Sequence, residues 1–84
     1  MKIYKFWAEW CGPCKQLTKI LESTNEDLGI EIVPINVDED TNDLCSKYNI
    51  RNIPTMIMVD ENENELKRVS GVLSIERIKE EFNL

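Results

Sequence analysis

The chain has 84 residues, with 10 basic and 16 acidic side chains, no histidine and a formal net charge of -6 at pH 7. This length predicts a single domain, residues 1–84, that can bury a modest core. The acidic balance argues against nucleic acid as a partner, because that would need a basic face, and it favours protein partners.

We expect neither a signal peptide nor a membrane-spanning segment. The short apolar stretch at the N-terminus is interrupted by Lys5, and no cleavage site follows it. No apolar run approaches the length needed to cross a bilayer. Three cysteines without an export signal fit a reducing cytoplasm, so we expect a cytoplasmic protein that does not bind membranes.

The first half of the chain predicts a strand, a helix and a second strand. Residues 2–7 are rich in β-branched and aromatic types, which favours a strand. Apolar residues then recur at helical spacing from Cys11 to about Asp27, and Gly29 is the expected C-cap. Residues 30–37 predict a second strand, and the proline within it favours an interrupted or edge position.

Next, the sequence predicts a short helix and a hairpin. Polar residues at 38, 40 and 41 supply N-cap chemistry for a short helix that ends near Tyr48. A nearly continuous apolar run at 55–60 predicts a buried central strand. A polar turn at 61–64 then leads into residues 65–70, which pair back.

The last predicted element is a helix that Ser74 caps. Its inward side carries Ile75, Ile78 and Phe82, whose spacings of three and four residues are those expected of one helix face. The predicted order of elements is therefore βαβαββα.

Two thiols separated by two residues, Cys11 and Cys14, indicate thiol–disulfide chemistry. At the start of a helix the first sulfur meets unpaired N–H groups and the positive end of the helix dipole, which favour the thiolate. The thiolate is the attacking species in disulfide exchange, so we predict that Cys11, exposed at the helix end, is the nucleophile and that Cys14, turned inward, is the resolving thiol. Pro13 suits an early helical position and stiffens the turn.

Other interpretations of the cysteines are weaker. A structural zinc site needs four ligands, whereas the chain offers three cysteines and no histidine. A purely structural disulfide across so short a loop would remove little chain entropy. Cys45 lies far from the pair in sequence, and we predict that it is a small core residue rather than a reactive thiol.

The segment from Trp10 to Lys15, Trp-Cys-Gly-Pro-Cys-Lys, resembles the active-site hexapeptide of the thioredoxin family. The element order and the segment from Ile50 to Thr55 resemble the same family, and Ser70-Gly71-Val72 is a weaker match. The resemblance implies an α/β minimal thioredoxin fold, with a four-stranded mixed sheet flanked by three helices. It also implies a cis peptide bond between Ile53 and Pro54.

The resemblance further implies a protein-disulfide reductase that carries electrons through its own dithiol, with no bound cofactor and no metal. The partners it implies are disulfide-containing proteins and an NADPH-dependent thioredoxin reductase, and we expect a monomer. It assigns the active-site turn to Trp10, Gly12, Pro13 and Lys15. It assigns substrate binding to Trp10, Ile53, Pro54, Gly71 and Val72.

The chain departs from the family pattern in two places. It begins where the family's second strand begins, so we expect a version of glutaredoxin size. In full-length thioredoxins a buried Asp precedes the Phe-Trp pair and a Lys pairs with it; here those positions are Lys5 and Pro34. Lys5 could tune the thiols by its charge, or its head could reach solvent with its stem against the sheet.

Two alternative functions stay open. A glutaredoxin-like reductase has the right size, although its usual Cys-Pro-Tyr-Cys core is absent. A non-catalytic module could use the same surface to hold a partner protein, although the intact dithiol argues against it.

Overall fold

The structure is a computed structural model, and it describes residues 1–23 and 28–84. Within these residues the chain forms four strands and three α-helices. The strands are β1 (Lys2–Trp7), β2 (Glu31–Asn36), β3 (Thr55–Val59) and β4 (Glu65–Ser70). The helices are α1 (Gly12–Ser23), α2 (Leu44–Lys47) and α3 (Ile75–Phe82), and a 3-10 turn covers Val37–Glu39. The predicted order is confirmed, while the predicted end of the first helix near Asp27 lies outside the described residues.

The sheet is mixed, with strand order β2-β1-β3-β4. Strand β1 pairs in parallel with β2 and antiparallel with β3, and β3 pairs antiparallel with β4. Pro34 lies in β2 opposite Lys5. Strand β2 lies at the edge of the sheet, which confirms the edge position predicted from its proline.

Alternation along the central strands divides the core between the two faces of the sheet. One face carries Ile3, Met56 and Met58 against α1 and α3, and the other carries Tyr4, Phe6, Ile57 and Val59 against α2. All five residues of β3 are buried, as its continuous apolar run predicts. Against these faces pack the buried residues Leu17 of α1, Ile78 and Phe82 of α3, and Tyr48, which directly follows α2.

Side-chain caps begin the two later helices. Ser74 Oγ accepts a hydrogen bond from the Arg77 backbone N–H at 3.3 Å, as predicted. Of the three polar residues predicted to cap α2, Asp40 does so: its carboxylate accepts from the backbone N–H groups of Leu44 and Cys45 at 3.0 and 2.7 Å. Asp38 has another role, described below, because its side chain points towards the end of β1 rather than towards α2.

A polar cluster ties the hairpin turn to the start of β1. The Tyr4 hydroxyl donates to the Glu63 carboxylate at 2.8 Å, and the Tyr48 hydroxyl donates to the Glu63 carbonyl at 2.7 Å. Lys2 Nζ lies 3.4 Å from the same carboxylate. The hydrogen bond from Tyr4 is the main cause that lowers the pKa of Glu63. The acidic turn at 60–65 therefore does more than change chain direction, which the sequence did not predict.

We expect Glu63→Gln to lower the free energy of unfolding at pH 7 by about 1 kcal/mol, because it removes a charge-assisted acceptor at a partly exposed site. The folded-state pKa of Glu63 is lowered, so its contribution is present above the unfolded value of 4.5 and is lost as the pH falls through the folded value. Denaturant titrations at several pH values measure this difference.

The matched control is Glu61→Gln in the same turn, whose carboxylate is 80% exposed and lies 3.4 Å from the N-terminal ammonium. It should change the free energy of unfolding little. A difference between wild type and Glu63→Gln that stays constant from pH 7 to pH 3 would contradict the ionic role of Glu63.

Candidate active site

Cys11 and Cys14 lie at the junction between the end of β1 and the start of α1. The structure joins them in a disulfide with their Cα atoms 5.2 Å apart. The Cys11 backbone N–H donates to the Ala8 carbonyl at 3.2 Å, which closes the turn between the two elements. Cys14 is 1% exposed and Cys11 is 6% exposed. Cys14 points inward as predicted, but Cys11 is also buried in the disulfide form because Trp7, Ala8, Val37 and Ile53 pack around the pair.

The Cys11 sulfur takes the place of an N-cap oxygen. It accepts a hydrogen bond from the backbone N–H of Cys14 at 3.1 Å. Cys14 is the third residue of the helix, counted from Gly12. Pro13 comes second and has no N–H that needs a partner. No acidic residue stands in the first turn of α1. The sulfur is thus the acceptor at the positive end of the helix, and this position favours a thiolate.

The loop before β3 faces the dithiol. The Ile53–Pro54 peptide bond is cis, which confirms the expectation from the resemblance. The Ile53 carbonyl oxygen lies 4.0 Å from Cys11 Sγ. The Pro54 carbonyl accepts the Gly71 N–H at 2.9 Å, and Gly71 has a φ of +89°, a conformation that favours glycine. Val72 follows and is half-buried.

Trp10 borders a groove beside the dithiol. Its side chain is 71% exposed, and its indole N–H donates to the Asp38 carboxylate at 2.9 Å. The groove is a cavity of about 480 Å³. The residues that line it are Trp10, Val37, Cys45, Ile50, Arg51, Asn52 and Ile53. Of the residues predicted to bind substrate, Trp10 and Ile53 line this cavity, whereas Pro54 and Gly71 meet beside it.

The sequence interpretation missed Asp38, which it treated only as a helix cap. The signal was available in the parallel pairing of β1 and β2, which places Trp7 opposite Asn36. Parallel strands end at the same edge of a sheet, so residues shortly after Trp7 and Asn36 emerge side by side. Trp10 and Asp38 are three and two residues beyond that pair.

Cys45 lines the same groove from α2. It is half-buried and packs with the residues between α2 and the sheet. Burial, with a smaller effect of the neighbouring Asp40 carboxylate, raises the pKa of the Cys45 thiol to about 11. The thiol is therefore neutral near pH 7, which agrees with a packing role.

Lys5 lies on the α1 side of the sheet. Its residue is 8% exposed, and its Nζ donates to Thr18 Oγ1 at 2.9 Å. Burial lowers the pKa of Lys5, and the charge of Glu22 opposes this shift. Lys15 is exposed on α1, with its backbone N–H bonded to the Cys11 carbonyl at 3.2 Å.

The described residues contain neither a metal-binding cluster nor a membrane-spanning helix. No three Cys, Asp or Glu side chains in ranges 1–23 and 28–84 are grouped so that they could hold a metal ion. In the same ranges no helix is both long enough and apolar enough to cross a bilayer.

Comparisons with known proteins agree on one family. The chain is 42% identical over 62 residues to thioredoxin of Rickettsia felis, which covers 71% of the chain and 58% of that relative. It is 40% identical over 82 residues to thioredoxin of Mycoplasma genitalium, which covers 96% and 78%. The structure superposes on thioredoxin 1 of Thermosipho africanus with a TM-score of 0.77 and 26% identity, over 99% of this chain and 91% of that one.

The chain spans only 57 to 62% of the length of several of these curated relatives. The family model named Thioredoxin nevertheless matches residues 1–83, almost the whole sequence. This match includes Cys11 and Cys14, the cis-proline loop and all the strands and helices described above. The chain belongs to the thioredoxin family.

Proposed function

We propose that the chain is a thiol–disulfide oxidoreductase that reduces disulfides in other proteins through Cys11 and Cys14. The observation that carries this proposal is the position of the Cys11 sulfur, which accepts the Cys14 N–H at 3.1 Å at the start of α1. A sulfur held there is stabilised as a thiolate, which is the form that attacks a disulfide. The named thioredoxins among its relatives support the same activity.

The cycle has two exchange steps. The Cys11 thiolate attacks one sulfur of the substrate disulfide, forms a mixed disulfide and releases the other substrate sulfur as a thiolate. The Cys14 thiolate then attacks Cys11 Sγ, so the mixed disulfide breaks and the second substrate thiolate leaves. The released thiolates take up two protons, and two electrons have passed from the dithiol to the substrate.

The groove beside the dithiol is the proposed substrate-binding site. Its apolar lining and the half-buried Ile53 suit an extended segment on either side of a substrate cysteine. The Ile53 carbonyl, 4.0 Å from Cys11 Sγ, is placed to pair with the backbone of that segment. Trp10, fixed by Asp38, forms one wall. Pro54, Gly71 and Val72 continue the surface beyond Ile53.

The remaining assignments follow from the family. An NADPH-dependent thioredoxin reductase would restore the dithiol, the protein would act in the cytoplasm as a monomer, and it would need no bound cofactor. The glutaredoxin alternative is less favoured because residues 11–14 read Cys-Gly-Pro-Cys. The binding-module alternative is less favoured because both thiols are present and meet at one helix start.

Insulin reduction by dithiothreitol, with and without the protein, tests the proposed activity. We expect the protein to accelerate insulin precipitation and to turn over with NADPH and a bacterial thioredoxin reductase. The double variant Cys11→Ser, Cys14→Ser should do neither. Partner binding that survives in this double variant, without acceleration by the wild type, would favour the binding module.

The two thiols should behave differently when changed singly. Cys14→Ser leaves the attacking sulfur without its resolving partner, so we expect it to accumulate mixed disulfides with protein substrates. Cys11→Ser should trap none and lose reductase activity. Non-reducing gels with mass spectrometry measure the trapped species, and preferential alkylation of Cys14 in the reduced wild type at neutral pH would reverse the assignment.

Asp38→Ala should weaken substrate reduction without removing it. The change frees the Trp10 indole from its hydrogen bond, so we expect kcat/KM for insulin to fall by about threefold to tenfold, the range of one such bond. Glu39→Ala is the matched control, because that carboxylate sits in the same turn beside Asp38. An equal fall in both variants would indicate a general charge effect.

Cys45→Ala should leave turnover almost unchanged and lower the free energy of unfolding by about 1 kcal/mol, as expected for trimming one half-buried group. In the reduced wild type at pH 7.5, iodoacetamide should label Cys45 far more slowly than Cys11, because the raised pKa keeps the thiol protonated. A large loss of insulin reduction in Cys45→Ala would show that the third thiol takes part.

A further inference from the structure

Lys5 is a lysine inside the protein whose hydrogen-bond partner carries no charge. Its residue is 8% exposed, and among the described residues the side-chain hydrogen bond of Nζ goes to the hydroxyl of Thr18, at 2.9 Å. No carboxylate within 4.0 Å of Nζ is found in those residues. A lysine is seldom buried in this way unless a charge partner or a role accounts for it.

The hydroxyl that holds Lys5 lies one helical turn from Cys14. Thr18 follows Cys14 by four residues in α1, so the two side chains share a face of the helix, about 6 Å apart along its axis. The Lys5 ammonium therefore lies beneath the second turn of α1, one turn from Cys14 and between the helix and the sheet.

The charged groups around Lys5 do not neutralise it. It opens on a cavity of about 450 Å³, whose other lining residues are Trp7 from β1, Pro34 from β2, and Lys15, Thr18, Lys19 and Glu22 from α1. Glu22 is the single carboxylate of this set, and two further lysines stand with it. The charged residues that line this cavity sum to a net positive charge, although the chain as a whole is acidic.

We propose that Lys5 is a buried cation that stabilises the thiolate forms of Cys11 and Cys14 from beneath α1. This inference rests on the proposed oxidoreductase function. The disulfide form carries no charge at the sulfurs, whereas the reduced form carries a thiolate above the pKa of Cys11. A nearby cation therefore favours the reduced form over the disulfide and makes the disulfide a better oxidant.

The effect has a defined pH window. Below the pKa of the Cys11 thiol both redox forms are neutral, so the charge of Lys5 makes no difference. Above it the thiolate forms and the effect appears, until Lys5 itself loses its proton. Burial lowers the pKa of Lys5, and both Glu22 and a thiolate oppose that change.

Lys5→Met tests the charge, because methionine keeps an unbranched stem and removes only the ammonium. At pH 7 we expect its dithiol–disulfide equilibrium with glutathione to shift by up to about tenfold towards the disulfide, a more negative reduction potential by up to about 30 mV. The pKa of Cys11, followed by the pH dependence of alkylation, should rise. The difference from wild type in the redox equilibrium should vanish below the pKa of Cys11.

Matched variants separate this effect from packing and from general charge. Lys19→Met removes an exposed lysine from the rim of the same cavity. It should change neither the equilibrium with glutathione nor the pKa of Cys11, because an exposed charge is screened. Thr18→Val keeps the shape but removes the hydroxyl, and it should produce a smaller shift in the same direction. Lys5→Asp should produce a larger one. Circular dichroism and thermal melts establish that each variant is folded.

Equal potentials and equal alkylation profiles for wild type and folded Lys5→Met would overturn the proposal, as would an equal shift in Lys19→Met. These equilibrium measurements need only the two thiols, not substrate turnover. Failure of the proposed function would instead appear as a wild-type protein that does not accelerate insulin reduction.

Discussion

The pairing of β1 with a strand on each side is the constraint on which the site depends. Strand β1 runs parallel to β2, so the ends of both strands reach one edge of the sheet, and it runs antiparallel to β3, so the start of β3 reaches the same edge. The dithiol follows β1, Asp38 follows β2, and the cis-proline precedes β3. Three segments distant in sequence thus meet at one place because of strand direction alone.

The elements could be predicted from the sequence because each has a strong local signal. The apolar run of β3 and the serine that caps α3 both act over a few residues, and both predictions are confirmed. The sequence did not predict which hydrogen-bond donor each aspartate would bind. Asp38 and Asp40 look equivalent in sequence, yet only Asp40 can reach the N–H groups of α2, and Asp38 is left for Trp10. Such choices depend on tertiary placement, which residue spacing does not encode.

Different parts of the site could be predicted from different kinds of information. The thiol pair and its place at a helix start follow from spacing and helix signals, whereas the cis bond at Pro54 came only from family resemblance, because few X-Pro bonds are cis. The burial of Cys11 could not be anticipated from local sequence either. It arises because Val37 and Ile53, from two other segments, pack over the sulfur.

The acidic side chains that make hydrogen bonds near the site lie outside the first turn of α1, where a negative charge would most oppose a thiolate. Asp38 is engaged by an indole, Asp40 by two backbone N–H groups, and Glu63 by a tyrosine at the far end of β1. The first turn of α1 has no acid. A chain with a net charge of -6 can therefore still present the positive end of a helix to its sulfurs.

The helix start also links redox state to local stability. In the disulfide the Cys11 sulfur is a neutral, weak acceptor for the Cys14 N–H, whereas a thiolate at that position is a stronger one. The first turn of α1 is therefore better capped when the protein is reduced and Cys11 is ionised. Whatever stabilises this turn in that state also favours reduction, so Pro13, the helix dipole and the sulfur act on one equilibrium rather than on separate ones.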